Sequence, residues 1–142
     1  MKLTIVIDNA REEEIIVYAH NENDITRKIR LLAEGESAEL LGYKGDAIFP
    51  LDAESITCFI SDGNNVYALI DGERFKVRQR LYQLCDMLNG FIKINQSCLA
   101  NISQIDHFES TPFGALTIVF KGGYKDYVSR RNLKTIKERF GI

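Results

Sequence analysis

Histidine, proline and cysteine are scarce in this 142-residue chain, and each shortage closes off a kind of chemistry. The two histidines, His20 and His107, both fall in strand-like surroundings and leave little from which to build a proton relay. No Gly-x-Ser-x-Gly elbow accompanies them. The three cysteines, Cys58, Cys85 and Cys98, make no C-x-x-C pair and sit among apolar residues. They read as reduced core thiols of a cytoplasmic protein, not as a disulfide framework or zinc site. With two prolines, ten glycines and 45% apolar residues, the composition is that of a globular chain without a low-complexity tract. No apolar run approaches the roughly 18 residues a membrane span needs. The opening MKLTIVIDNAREEE lacks a small-residue cleavage site and is not a signal peptide. Phosphate-cradling glycine loops are missing too, so no nucleotide cofactor is expected. KLTIVID resembles the first strand of a receiver domain, but the alternating strands and helices of that fold do not follow it.

Charge is present but unevenly placed. The net value of −2 conceals an acidic residue 1–72 segment, with six Lys+Arg against 14 Asp+Glu, and a basic residue 73–142 segment, with 12 against six. Seven bases fall in the last 22 residues. Association depends on local charge, so the second half is suited to a polyanion.

The hydrophobic pattern changes along the chain. Residues 2–7 (KLTIVI) and 14–19 (EIIVYA) read as strands. Asp24 then caps a helix that carries Ile25, Ile29 and Leu32 on one face and stops at Gly35. This β-β-α extension, residues 1–36, is too small to bury much core alone and is expected to pair with the rest of the chain, with a second copy or with a partner. From residue 37 short strands dominate. SITCFIS, VYALI and RFKV form a meander across Asp62-Gly63-Asn64-Asn65 and Asp71-Gly72. A helix is expected over residues 77–88, and ALTIVF and YKDYVS form a hairpin across Gly122-Gly123. Tight turns join most strands, which excludes parallel winding. The fold class is therefore mainly β with short helices (α+β).

The last helix contains an anomaly. In VSRRNLKTIKERF, Leu133, Ile136 and Phe140 form an apolar stripe and Ser129 is placed to cap. Yet Arg130 and Arg131 occupy the first turn, where the helix dipole favours acids. Two other polar clusters stand out: Asn64 and Asn65 at a turn tip, and Asn95, Gln96 and Ser97 after Lys93 at a strand end. Asn, Gln and Arg can read base edges, and Ser129 with Asn132 at a helix start suits phosphate oxygens. A basic helix that binds an acidic protein is an alternative. RNA binding is another, although only Phe91, Phe113, Tyr124 and Tyr127 offer stacking faces near the basic region.

FIKINQSCLANISQIDHFE, a turn, and GALTIVFKGGYKDYVSRRNLKTIKERFG together resemble the C-terminal half of LytTR DNA-binding domains. Phe91, Lys93, Ser97, Leu99, Asn101 and Ile102 fit the family's first run, and Ser129 and Arg131 fit the last. The resemblance covers about residues 37–142. It implies antiparallel sheets whose loops enter successive grooves of double-stranded DNA. Arg131 and Gln96 would then read bases, Lys93, Ser97 and Ser129 would contact the backbone, and the Asn64–Asn65 tip would enter another major groove. It further implies a bacterial, response-regulator-like transcription regulator of the small stand-alone kind. Such a protein would act as a homodimer, with a small membrane protein encoded nearby as a possible restraint.

Overall fold

The computed structural model describes residues 2–33 and 39–142. It divides into two compact units, Met1–Ser37 and Ala38–Ile142.

In the first unit, helix α1 spans Asp24–Ala33. Its cap is Asn23, one residue before the expected Asp24. Asn23 Oδ1 accepts from Thr26 N at 3.0 Å, and Thr26 Oγ1 accepts from Asn23 N at 2.9 Å. The two side chains thus satisfy each other's orphan donors. Asp24 opens the first turn instead and is bridged by Arg27. The expected stop at Gly35 lies outside the described residues. The two expected strands do not form: residues 2–7 and 14–19 have no ladder pairing. Period-two patterning prepares a segment for a sheet, but a strand exists only when a neighbouring backbone takes up its donors and acceptors. Among the described residues, none does so here. Ile15, Val17 and Ala19 line a cleft with Thr26 and Ile29 of α1. Leu3, Ile5, Ile7, Ile16 and Tyr18 remain exposed.

The second unit is built from antiparallel strands. These are β1 (Leu41–Lys44), β2 (Ala47–Pro50), β3 (Cys58–Asp62), β4 (Asn65–Ile70) and β5 (Glu73–Val77), followed by helix α2 (Leu81–Met87). Then come β6 (Phe91–Asn95), β7 (Cys98–Asn101), β8 (Ile105–Ser110), β9 (Leu116–Phe120) and β10 (Lys125–Val128), and finally helix α3 (Arg130–Phe140). The first seven strands make one sheet in the order β2-β1-β5-β4-β3-β7-β6, and β10-β9-β8 make a second. The expected meander is β3–β4–β5. Its turns use positive φ at Gly63, and at Asp71 with Gly72, the latter pair matching a type I′ hairpin. α2 begins later than the expected residue 77, because Val77 still pairs with Val66 in the ladder. Arg80 N then donates to Gln83 Oε1 at 2.9 Å to start the helix.

Both faces of the large sheet are covered around β3 and β7, which explains their continuous apolar runs. Phe59 and Leu99 point into a core with Leu84 of α2. Cys58, Cys98 and Ala100 point the other way, into a core with Ile118, Phe120 and Ile136 from the second sheet and α3. Cys58 and Cys98 are fully buried. The hydrogen bond the protonated Cys98 thiol makes with Cys58, and then the loss of solvent, push that thiol far up, so it stays protonated.

Candidate nucleic-acid interface

The three polar clusters lie far apart in sequence, and two backbone hydrogen bonds bring them together. β6 carries a bulge between Lys93 and Asn95, which leaves Ile94 out of register with β7. Its carbonyl accepts from Ser129 N at 2.9 Å, which fixes the start of α3 beside the β6–β7 turn. On the other side of that turn, the Ser97 carbonyl accepts from Ser61 N at 2.8 Å, which joins it to the β3–β4 hairpin that ends in Asn64 and Asn65. The helix start, the β6–β7 turn and the β3–β4 tip therefore follow one another along one edge of the large sheet.

Along that edge Asn64, Lys93, Gln96, Ser97, Arg130 and Arg131 are exposed, and Asn65, Ser129 and Asn132 are half-buried. Ser129 caps α3 as expected: its Oγ accepts from Asn132 N at 3.4 Å and from Asn132 Nδ2 at 2.9 Å. Among the described residues, no carboxylate pairs with Lys93, Arg130 or Arg131. The two arginines thus add uncompensated positive charge to the positive end of the helix.

Asn95 departs from its expected place as a DNA contact. It is 1% exposed. Its Nδ2 donates to Asp126 Oδ1 at 3.0 Å and to the Tyr127 carbonyl at 2.8 Å, and its Oδ1 accepts from Ser97 N at 2.8 Å. The bulge at Ile94 turns Asn95 inward and leaves Gln96 outward, so Asn95 shapes the turn and does not present itself to a ligand. Asp126 is its counterpart and also accepts from Tyr127 N at 2.8 Å. Burial, and then the Asp126 charge, push the neighbouring Tyr124 hydroxyl up, which keeps it a neutral donor. Asn101 plays a similar buried role: its Nδ2 donates to the Ile56 carbonyl at 2.7 Å.

Sequence reasoning missed Asp126, and a lone acid among bases gave no signal of its positioning role. It also passed over β5, where Arg74 and Lys76, continued by Arg78, recur with period two. That spacing was a legible signal for cations on one face.

A cavity of about 970 Å³ lies at the opposite end of β4 from the three loops, lined by Asp52, Glu54, Asp71, Arg74 and Lys121 among others. Neither histidine nor cysteine lines it. His107 instead lies on β8 between Asp106 (2.6 Å) and Glu109 (3.4 Å), exposed and away from the edge loops. Among the described residues, no helix is long and apolar enough to cross a membrane.

Comparison with known proteins agrees with the fold. Residues 46–141 match the family described as the LytTr DNA-binding domain. A relative named as an HTH-type transcriptional regulator in Staphylococcus aureus strain NCTC 8325 is 32% identical over 146 residues, covering 100% of this chain and 99% of its own length. A like-named protein of strain MSSA476 is 33% identical over 147 residues, with the same coverage. Among solved structures, a LytTr DNA-binding domain from a Bacillus cereus response regulator superposes with a TM-score of 0.69. It is 13% identical and covers 75% of this chain and 100% of its own.

Proposed function

The chain belongs to the LytTr DNA-binding domain family and is a DNA-binding transcription regulator; we propose that it reads duplex DNA with the three loops along one sheet edge. The observation that carries this reading is the pair of backbone hydrogen bonds, Ser129 to Ile94 and Ser61 to Ser97, which sets three polar clusters in a row. Such a row can follow successive grooves on one face of a duplex. Arg131 and Gln96 are the base readers, with guanidinium or amide groups able to contact a base edge in a bidentate way. Asn64 and Asn65 enter the next groove. Lys93, Ser97, Ser129 and Arg130 hold phosphates, and Asn132 supports Ser129 from within the first turn. The helices are not used as a helix-turn-helix: five strands, β6 to β10, intervene between α2 and α3, and neither follows another helix through a short turn among the described residues.

The protein acts as a binder in the cytoplasm, with no reaction assigned to it. Two copies occupy paired half-sites, joined through residues 1–36, whose exposed apolar side chains need a cover. A small membrane protein encoded nearby is the other partner suited to that segment. Selection of bound sequences from a random duplex pool tests the reading. A recovered motif repeated at fixed spacing is the expected result, and no binding to any duplex at about 50 mM salt would sink it. Sedimentation of the full chain tests the pairing separately: a strict monomer, both free and on paired half-sites, would refute it.

A further inference from the structure

The row of loops does not end at the β3–β4 tip. The next strand across the sheet is β5, and its Val77 pairs with Val66 just below that tip. Arg74 and Lys76 share one face of this strand, and Arg78 continues their alternation. Tyr67 and Tyr43, both partners of Lys76 in the ladder, flank them on the same face. Farther along, at β3 and β7, the second sheet and α3 cover that face. At β5 it is open, with Arg74, Lys76 and Arg78 all exposed.

Two of the three charges on this strip, Lys76 and Arg78, are not spent internally. Arg74 bridges Asp62 at 3.2 Å and lies over the Tyr67 ring, so it neutralises the one acid at the hairpin tip. Arg78 lies 4.8 Å over the Tyr43 ring, which holds the guanidinium without neutralising it. Among the described residues, neither Lys76 nor Arg78 has a carboxylate partner.

Sheet twist decides where the strip faces. Each strand turns by ~20–25° relative to its neighbour, so β5 and β1, three and four strands from β7, are rotated by roughly 60–100°. At that angle a sheet face looks where a strand end pointed before. The hand of the rotation selects which face turns up. Ser61 and Phe59 direct their backbone groups toward β7 while the Phe59 ring lies in the α2-side core. With L-residues and the usual twist, this brings the opposite face, the one that bears Lys76 and Arg78, round to the side on which the loops project.

We propose that Lys76 and Arg78 bind backbone phosphates of the same duplex, beyond the bases read by the β3–β4 tip. The proposal rests on the three-loop DNA reading and extends its footprint by a fourth, sequence-independent contact. Arg74 serves by silencing Asp62, so that the tip does not repel the backbone.

The test uses the full chain with its selected operator in two lengths. One duplex stops at the tip-proximal end of the recovered motif, and the other continues for about one helical turn. Wild type is expected to bind the longer duplex roughly tenfold more tightly, with a salt slope steeper by about two. The Lys76→Ala/Arg78→Ala variant should lose that gain and keep its affinity for the short duplex, while Lys76→Arg/Arg78→Lys should retain the gain. Both positions are exposed, so the fold is not at stake. Equal wild-type affinity for the two lengths would overturn the proposal. So would a variant that keeps the full gain, as expected if the strip instead holds an acidic protein. Failure of wild type on both duplexes would overturn the three-loop reading itself and this extension with it.

Discussion

The two units of the chain treat their hydrophobic residues in opposite ways. Of sixteen large apolar side chains left exposed, ten fall in residues 2–33, a stretch of under a quarter of the described residues. The second unit seals two cores around one sheet and keeps its exposed cations unpaired along the edge loops. The first unit leaves Leu3, Ile5, Ile7, Ile16 and Tyr18 uncovered and pairs its arginines internally, Arg11 with Asp8, Arg27 with Asp24 and Arg30 with Glu22. One region is finished and offers charge to a partner. The other keeps its charge to itself and offers apolar surface.

That contrast can be broken most directly by stability. Phe59→Ala should destabilise the second unit by about 3–5 kcal/mol, read by denaturant unfolding, because a fully buried ring leaves a cavity. Ile16→Ala should change the same transition by only about 0.5 kcal/mol. An equal loss from both would mean that the first unit shares the core of the second.

The next effect concerns the charges. Arg131→Ala should cost about 1–3 kcal/mol in operator binding and relax preference at one base position. Arg27→Ala, in the first unit, should leave binding unchanged. Equal loss on operator and random duplex for Arg131→Ala would remove its base-reading role. Lys93→Ala is expected to act more weakly and evenly, flattening the salt slope by about one.

Within the edge loops, neighbours should separate. Asn95→Ala should destabilise folding by about 1–3 kcal/mol, because Asp126 loses a buried donor. Gln96→Ala should leave unfolding unchanged and weaken DNA binding. If Gln96→Ala destabilised and Asn95→Ala did not, the assignment of inner and outer residue would be reversed.

The smallest effect is a pH dependence confined to the second unit. Hydrogen bonds to Asp106 and then Glu109 raise the His107 pKa above its ordinary 6.5. Its contribution is fully present below that value and lost as pH rises through the folded-state pKa. Glu109 is lowered by the hydrogen bond from His107 and by the Lys125 charge, so its contribution is present above the ordinary 4.5 and lost as pH falls through its lowered value. Stability should therefore decline gently as pH rises above 6.5, and His107→Gln should remove that decline. An unchanged pH profile in His107→Gln would count against it.

Much of the second unit was legible because its signals are local. Asp71-Gly72 can take the two positive φ angles of a hairpin turn, and Leu133, Ile136 and Phe140 can form one helical stripe only if the segment is helical. The polar clusters were legible as residue types. What escaped was set by distant partners. Nothing in NQS says that Asn95 turns inward and Gln96 outward, because that choice depends on a bulge at Ile94 and on Asp126, 31 residues away. The pattern of residues 2–7 and 14–19 reads as two strands and neither forms, because no pattern can supply the neighbouring backbone that makes a strand.

The Asn95–Asp126 link also has a temporal meaning. The β3–β5 meander closes through short turns and can form within microseconds of collapse, whereas the edge row needs closure of a loop of about 30 residues and docking of the second sheet. During refolding, the chain should acquire its sheet signal before it can capture DNA. A refolding experiment with labelled operator present would then show a lag between the two, and the length of that lag would measure how late the tie between Asn95 and Asp126 is made.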